Sequence, residues 1–152
     1  MKLNNKDKKE ILEYLGKHKL MSVGTYYRLP WAANVYYLYD DNFNFYFVSG
    51  PNRLHCQNIV KNPKVSITIA NSQQDPKGKK VGFQARGFAK KVSSVSELKE
   101  IIKSWNKRGF VPVTYSVFKK AWKSRFYKIK VTDLQMFDEN QSKELETRNW
   151  KV

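Results

Sequence analysis

Residues 43–63 read FNFYFVSGPNRLHCQNIVKNP, and this stretch decides the fold. Phe43, Phe45 and Phe47 alternate with Asn44, Tyr46 and Val48, the period of a strand with one face buried. Ser49-Gly50-Pro51-Asn52 stops it: Ser49 or Gly50 suits a helix cap, and Pro51 suits a first helical position. The spacing predicts a short helix to about Lys61, ended by Asn62-Pro63. A strand passing through a tight turn into a helix presents unpaired backbone N–H groups and the positive end of the helix dipole. Such a place favours a phosphate. Arg53 and His55 in the first turn add a planar fork and a second donor, and Ser49 adds a hydroxyl. The same residues would also make an ordinary helix start with a solvated arginine, so the stretch alone leaves both readings open.

Outward from this segment, short extended runs dominate. Val65, Ile67 and Ile69 alternate with Ser66, Thr68 and Ala70 in a further strand. Upstream, Met21–Tyr27 is short and aromatic, Leu29-Pro30 breaks it, and Ala32–Tyr39 resumes an extended pattern. Asp40-Asp41-Asn42 is a turn signal, which predicts a hairpin between Ala32–Tyr39 and the Phe43 run. Residues 6–17 carry Ile11, Leu12 and Leu15 on one stripe and read as an opening helix. Downstream, Asn71–Lys80 is a polar turn, and Phe83, Ala85 and Ala89 continue the alternation. Leu98, Ile101, Ile102 and Trp105 fall at i, i+3, i+4 and i+7 of an amphipathic helix that starts near Ser96 and ends at Arg108-Gly109. Residues 126–131 form the last predicted strand, with Tyr127, Ile129 and Val131 on one face; the polar tail from about Asp138 is expected to fray, apart from Trp150. Short antiparallel strands with a few helices give an α+β domain built on a small barrel, and residues 1–152 read as one domain. The patterning does not fix the strand order.

The charge of +16 comes from 29 basic and 13 acidic residues. Its excess is concentrated: six basic residues and no acid lie between Asp75 and Glu97, and nine basic residues and no acid lie between Glu100 and Asp133. Such a field attracts phosphate-bearing ligands and nucleic acids, and it also serves a merely solvated lysine-rich surface. One cysteine, Cys56, excludes an intramolecular disulfide and a cysteine-rich metal site. No secretory signal and no membrane-spanning apolar run is visible, so the expectation is a soluble cytoplasmic protein without a membrane partner.

In order, the chain offers an apolar helix, LMSVGTYY, PWAANVYYLY, the segment above, FQARGFA, a helix and FYKIKVTDLQMFD. This order resembles the pyridoxamine 5′-phosphate oxidase-like FMN-binding split barrels, especially their small bacterial branch, over roughly residues 8–137. The resemblance implies a mainly antiparallel split β-barrel with a few short helices, working as a homodimer with FMN at the subunit interface. It implies an FMN-dependent oxidoreductase or flavin reductase acting on a small substrate. Val48 and Ser49 match the family's strand end with its hydroxyl, and Arg53 and His55 fall where the family places its phosphate-binding basic residues. Leu54 replaces a frequent arginine, and His55 stands where lysine is common. Ala33 and Asn34, within Ala32–Val35, match the strand that lies against the flavin ring. Trp122 and Arg125 are the nearest counterparts of a C-terminal Trp and Arg that the other subunit adds in larger members.

Other chemistries find less support. His18 and His55 lie far apart in sequence without cysteine or carboxylate partners at metal spacing, so no metal site is expected. No Gly-x-Ser-x-Gly elbow, Walker loop or dinucleotide glycine fingerprint is present. Cys56 reads as a small packed hydrophobe. No residue stands out as an acid or base, and the catalytic group is left unassigned. Two alternatives remain: a basic nucleic-acid-binding barrel using the positive stretches with interleaved aromatics, and a haem-handling split barrel. For the first, only weak, non-specific binding of nucleic acid is expected.

Overall fold

The computed structural model describes residues 2–116, 125–140 and 147–152. Helix α1 (Asn5–Lys17) opens the chain, with the Asn4 side chain accepting from the Asp7 N–H and Ile11 and Leu15 buried. Strands β1 (Leu20–Tyr27) and β2 (Leu29–Tyr36) form a tight hairpin, then β3 (Leu38–Tyr39) and β4 (Asn44–Ser49) a second one. Helix α2 (Leu54–Lys61), strands β5 (Lys64–Ala70) and β6 (Val81–Lys91), and helix α3 (Val95–Lys107) follow. Strands β7 (Arg125–Asp138) and β8 (Thr147–Lys151) complete the order. The strands make one antiparallel sheet in the order β2-β1-β5-β6-β7-β4-β3, with β8 also on β7. This is the α+β split barrel expected from the sequence.

The curl of the sheet is built around β7. Its first half pairs with β4 and its second half with β8, while β6 runs along both. A register shift at Arg86/Gly87 re-aims the pairing where one neighbour gives way to the other. At that shift a Cβ on Gly87 would overlap the Lys130 carbonyl and stand 2.8 Å from its carbon, so the backbones approach as only glycine allows. Inside, Phe43, Phe45, Phe47 and Phe83 pack with Tyr37 and Trp150 against α1. A second cluster forms under α3, where Leu98, Ile101, Ile102 and Trp105 meet Leu38 and Phe126. The alternation and the helical stripe were thus read correctly, and Asp40 ties the turn before β4 through the backbone N–H groups of Asn42 and Asn44.

Four expectations change. Leu29-Pro30 does not break the first run: the chain reverses at Arg28 (φ 66°) and Pro30 sits in β2. β2 ends the strand order, and an edge strand accommodates proline where a central one does not. The Ala32–Tyr39 run therefore pairs mainly with β1, and only Leu38 and Tyr39 pair with β4. The tail is not frayed at residues 147–151: β8 pairs with β7, and Trp150 is buried with its indole N–H donating to Asp7 (3.0 Å). The strand at 126–131 runs on to Asp138, because β6 continues to supply a partner.

Candidate functional site

Strand β4 carries Val48 and Ser49 to its end, where Val48 stands opposite Phe126 and Ser49 opposite Arg125. The chain then turns, with the Arg53 N–H donating to Gly50 O at 3.0 Å. α2 begins only at Leu54, with Arg53 as its cap residue and no side-chain cap bond. Pro51 is therefore not the first helical position, and neither Ser49 nor Gly50 caps the helix. The turn occupies the residues that the Pro51 pattern assigned to a first helical turn.

Arg53 and His55 part ways here. The Arg53 side chain is exposed, whereas His55 is buried with Nε2 2.8 Å from Ser49 Oγ. The imidazole lies 6.2 Å from the Phe47 ring, which in turn stacks on Tyr127 at 5.2 Å. Burial, and then the charge of Arg53, lower the His55 pKa below the ordinary 6.5. The ring is neutral at pH 7 and serves as a hydrogen-bond partner, with the standing positive charge on arginine. Because the fold favours the uncharged ring, the stability His55 contributes is present above about pH 6.5 and lost as pH falls through its depressed pKa. Next to it, Cys56 is fully buried, as a packed hydrophobe should be. Burial, with Cys56 beside it, pushes the Tyr127 hydroxyl up.

Ala33 and Asn34 lie on β2, opposite Val23 and Ser22, and the Ser22 hydroxyl is bonded to Asn34 Oδ1. Two buried polar residues missed in the sequence join this hairpin to α2. Asn58 Nδ2 donates to Thr25 Oγ1 at 3.1 Å, and Thr25 Oγ1 donates to Trp31 O at 3.3 Å. The signal for Asn58 was its spacing, three residues beyond His55 on the buried side of a helix. Between the hairpin tip and α2 runs an apolar groove of about 790 Å³, lined by Leu29, Trp31, Pro51, Leu54 and Val60 with Arg28 and Lys61. Trp122 lies outside the described residues, while Arg125 opens β7 across from Ser49. The structure brings Ser49 and His55 together at the end of β4 with Arg53 exposed beside them, a hydroxyl and a cation suited to a phosphate. Ala33, Asn34 and Val48 do not line the groove, and neither do Ser49, Arg53 and His55.

The model of the pyridoxamine 5′-phosphate oxidase family matches residues 7–137. No curated protein matches the chain. Among solved structures, it is similar to a protein from Listeria innocua described as a pyridoxamine 5′-phosphate oxidase (TM-score 0.65, 19% identity, 88% of this chain and 98% of that one). An FAD-binding protein from Mesorhizobium loti is similar at TM-score 0.65 and 16% identity, over 84% of this chain and 89% of that one. The heme storage protein HutZ of Vibrio cholerae is similar at the same score and identity, over 86% of this chain and 91% of that one.

Proposed function

Since the chain belongs to the pyridoxamine 5′-phosphate oxidase family, we propose that it binds FMN at the interface of a homodimer and works as an FMN-dependent oxidoreductase or flavin reductase on a small substrate. The observation that carries this reading is the family match across residues 7–137, with a phosphate-suited cluster at the end of β4. Arg53 and Ser49 would hold the phosphate, and neutral His55 would orient the Ser49 hydroxyl. Ala33 and Asn34, with Val48, would line the ring, since small side chains let a flat ligand approach the backbone. When bound, the flavin supplies the redox chemistry, and the protein supplies orientation and exclusion of water. Trp122 would be the partner subunit's contribution, as the family resemblance implies.

Arg53→Ala is expected to weaken FMN binding by about 1.5–3 kcal/mol, the range for hydrogen bonds to a charged group. That is roughly ten- to a hundredfold in Kd, read by titrating apo-protein with FMN. Riboflavin binding should hardly change, since it has no phosphate to lose. His55→Ala should cost less, because the neutral ring acts on the phosphate only through the Ser49 hydroxyl. Unchanged FMN affinity in Arg53→Ala would remove the phosphate site from this place.

The dimer rests on exposed apolar surface: Leu29 (76%), Val60 (75%), Trp31 (48%) and Leu54 (46%) share the groove between hairpin tip and α2. Light scattering at micromolar concentration should give twice the 17.9 kDa chain mass. A monomer with and without FMN would overturn the dimer.

A second reading is haem, favoured by the fold likeness to HutZ. The visible spectrum separates them, because a Soret band and flavin absorption do not resemble each other.

A further inference from the structure

The outward face of the sheet carries an ordered row unconnected with the Ser49–His55 cluster. On β6 the exposed positions alternate with buried ones, so Arg86, Phe88 and Lys90 point out together. Phe88 is flanked in register by Lys64 of β5 on one side and Lys130 of β7 on the other. One strand further, Tyr26 follows Thr25, whose partner is Val65, which sets Tyr26 beside Lys64. The row thus reads Tyr26, Lys64, Phe88, Lys130: aromatic and cation in alternation across four strands. Tyr26 is 55% and Phe88 49% exposed, and both line a groove of about 730 Å³ whose floor includes Gly24, Ala32 and Ser66.

The charges on this face are not balanced within the fold. Asp133 pairs with Arg86 (3.1 Å) and Glu97 with Lys128 (2.8 Å). Among the described residues no carboxylate pairs with Lys64, Lys90 or Lys130, and Lys90 stands directly opposite Lys128. Lysines without a carboxylate partner leave a positive field on this face, which an anionic partner would meet.

We propose that this face binds single-stranded nucleic acid, with bases stacked on Phe88 and Tyr26 and phosphates on Lys64 and Lys130. Stacking on an aromatic is available to every base, and lysine contacts the backbone without reading sequence, so binding is sequence-tolerant. A duplex hides its base faces and gains only the lysines. Affinity is therefore modest at physiological ionic strength and falls with salt. The proposal does not rest on FMN binding.

The test is fluorescence anisotropy of a labelled oligothymidylate and of a duplex of equal length, at low and at physiological ionic strength, on the full chain. The parent should bind the single strand more tightly than the duplex. Phe88→Ala should weaken single-strand binding roughly tenfold or more, since a stacked base is worth on the order of 1–3 kcal/mol. The double variant Lys64→Ala/Lys130→Ala should flatten the plot of log affinity against log salt by roughly 1.4, at about 0.7 per phosphate of a single strand. Lys77→Ala/Lys79→Ala, in the turn before β6, should leave the affinity within about twofold at physiological ionic strength, where charges beyond a Debye length are screened. Thermal melting and light scattering confirm that each variant keeps its fold and mass. Equal affinity for duplex and single strand, an unchanged Phe88→Ala, or an equal loss in the Lys77/Lys79 variant would overturn the proposal. So would conversion of a dimeric parent to monomer by Phe88→Ala, because the face would then be the seat of a second copy.

Discussion

Replacing Trp150 by alanine is expected to lower the unfolding free energy by about 3–5 kcal/mol, the cost of deleting a buried tryptophan. Trp150 is 2% exposed, stands opposite Leu134 on β7, and packs in the cluster that holds α1 to the sheet. Its indole N–H donates to Asp7 at 3.0 Å, and the Arg148 guanidinium lies 5.3 Å from its ring centroid. Arg148 itself reaches Asp7 (3.3 Å) and Glu10 (3.2 Å), so β8 and α1 are fastened by one shared polar network. Truncation opens a cavity and removes a hydrogen bond from Asp7 at once. Trp150→Phe, which keeps most of the volume, should cost about 1–2 kcal/mol, mainly the lost bond and a smaller void. Urea unfolding reads both. A Trp150→Ala protein within about 1 kcal/mol of the parent would mean that β8 adds little to the core.

The second large effect is expected at Gly87. An added Cβ would overlap the Lys130 carbonyl and lie 2.8 Å from its carbon and 2.9 Å from Val131 Cα. All three are backbone atoms of the strand on which β4, β6 and β8 converge, so relief requires the ladder itself to move. Gly87→Ala should therefore cost about 3 kcal/mol, the upper end of what overpacking usually costs. Gly24→Ala is the matched comparison. There the new methyl meets the Ser66 hydroxyl, which can rotate away, and the loss should be smaller. Thermal melting of the two variants side by side checks the ordering, and an equal or reversed loss would show that the β6–β7 approach is slack.

The Gly87 constraint also shows where the sequence runs out. Period-two alternation needs only the residues of one strand, so Phe43–Val48, Val65–Ala70 and the α3 stripe were legible in advance. Partner choice depends on residues far apart in the chain. A glycine in FQARGFA looks like any other until Lys130 is brought against it. Pro30 misled for a related reason: proline forbids a central strand, and only the strand order shows β2 at its end. Trp150 was marked as the exception in a polar tail, but its partner, Asp7, is 143 positions away.

At the candidate site the residue types were legible and their directions were not. Ser49, Arg53 and His55 could be picked out by order and resemblance. That His55 turns inward to Ser49 while Arg53 stays outside follows from α2 starting at Leu54, a shift of three residues from Pro51. The shift changes the chemistry expected of the histidine, from a second donor to the phosphate to a neutral partner of Ser49. Of the pair that fastens α2 to the hairpin, Asn58 could be found only through its helical spacing from His55, and Thr25 carries no signature until Asn58 is brought against it.

The most direct test is the titration of apo-protein with FMN and, separately, with riboflavin, followed by flavin fluorescence. The account predicts saturable FMN binding with riboflavin at least tenfold weaker, the difference being the phosphate that Arg53 and Ser49 would hold. Equal affinity for the two flavins, or no binding of either, would contradict it.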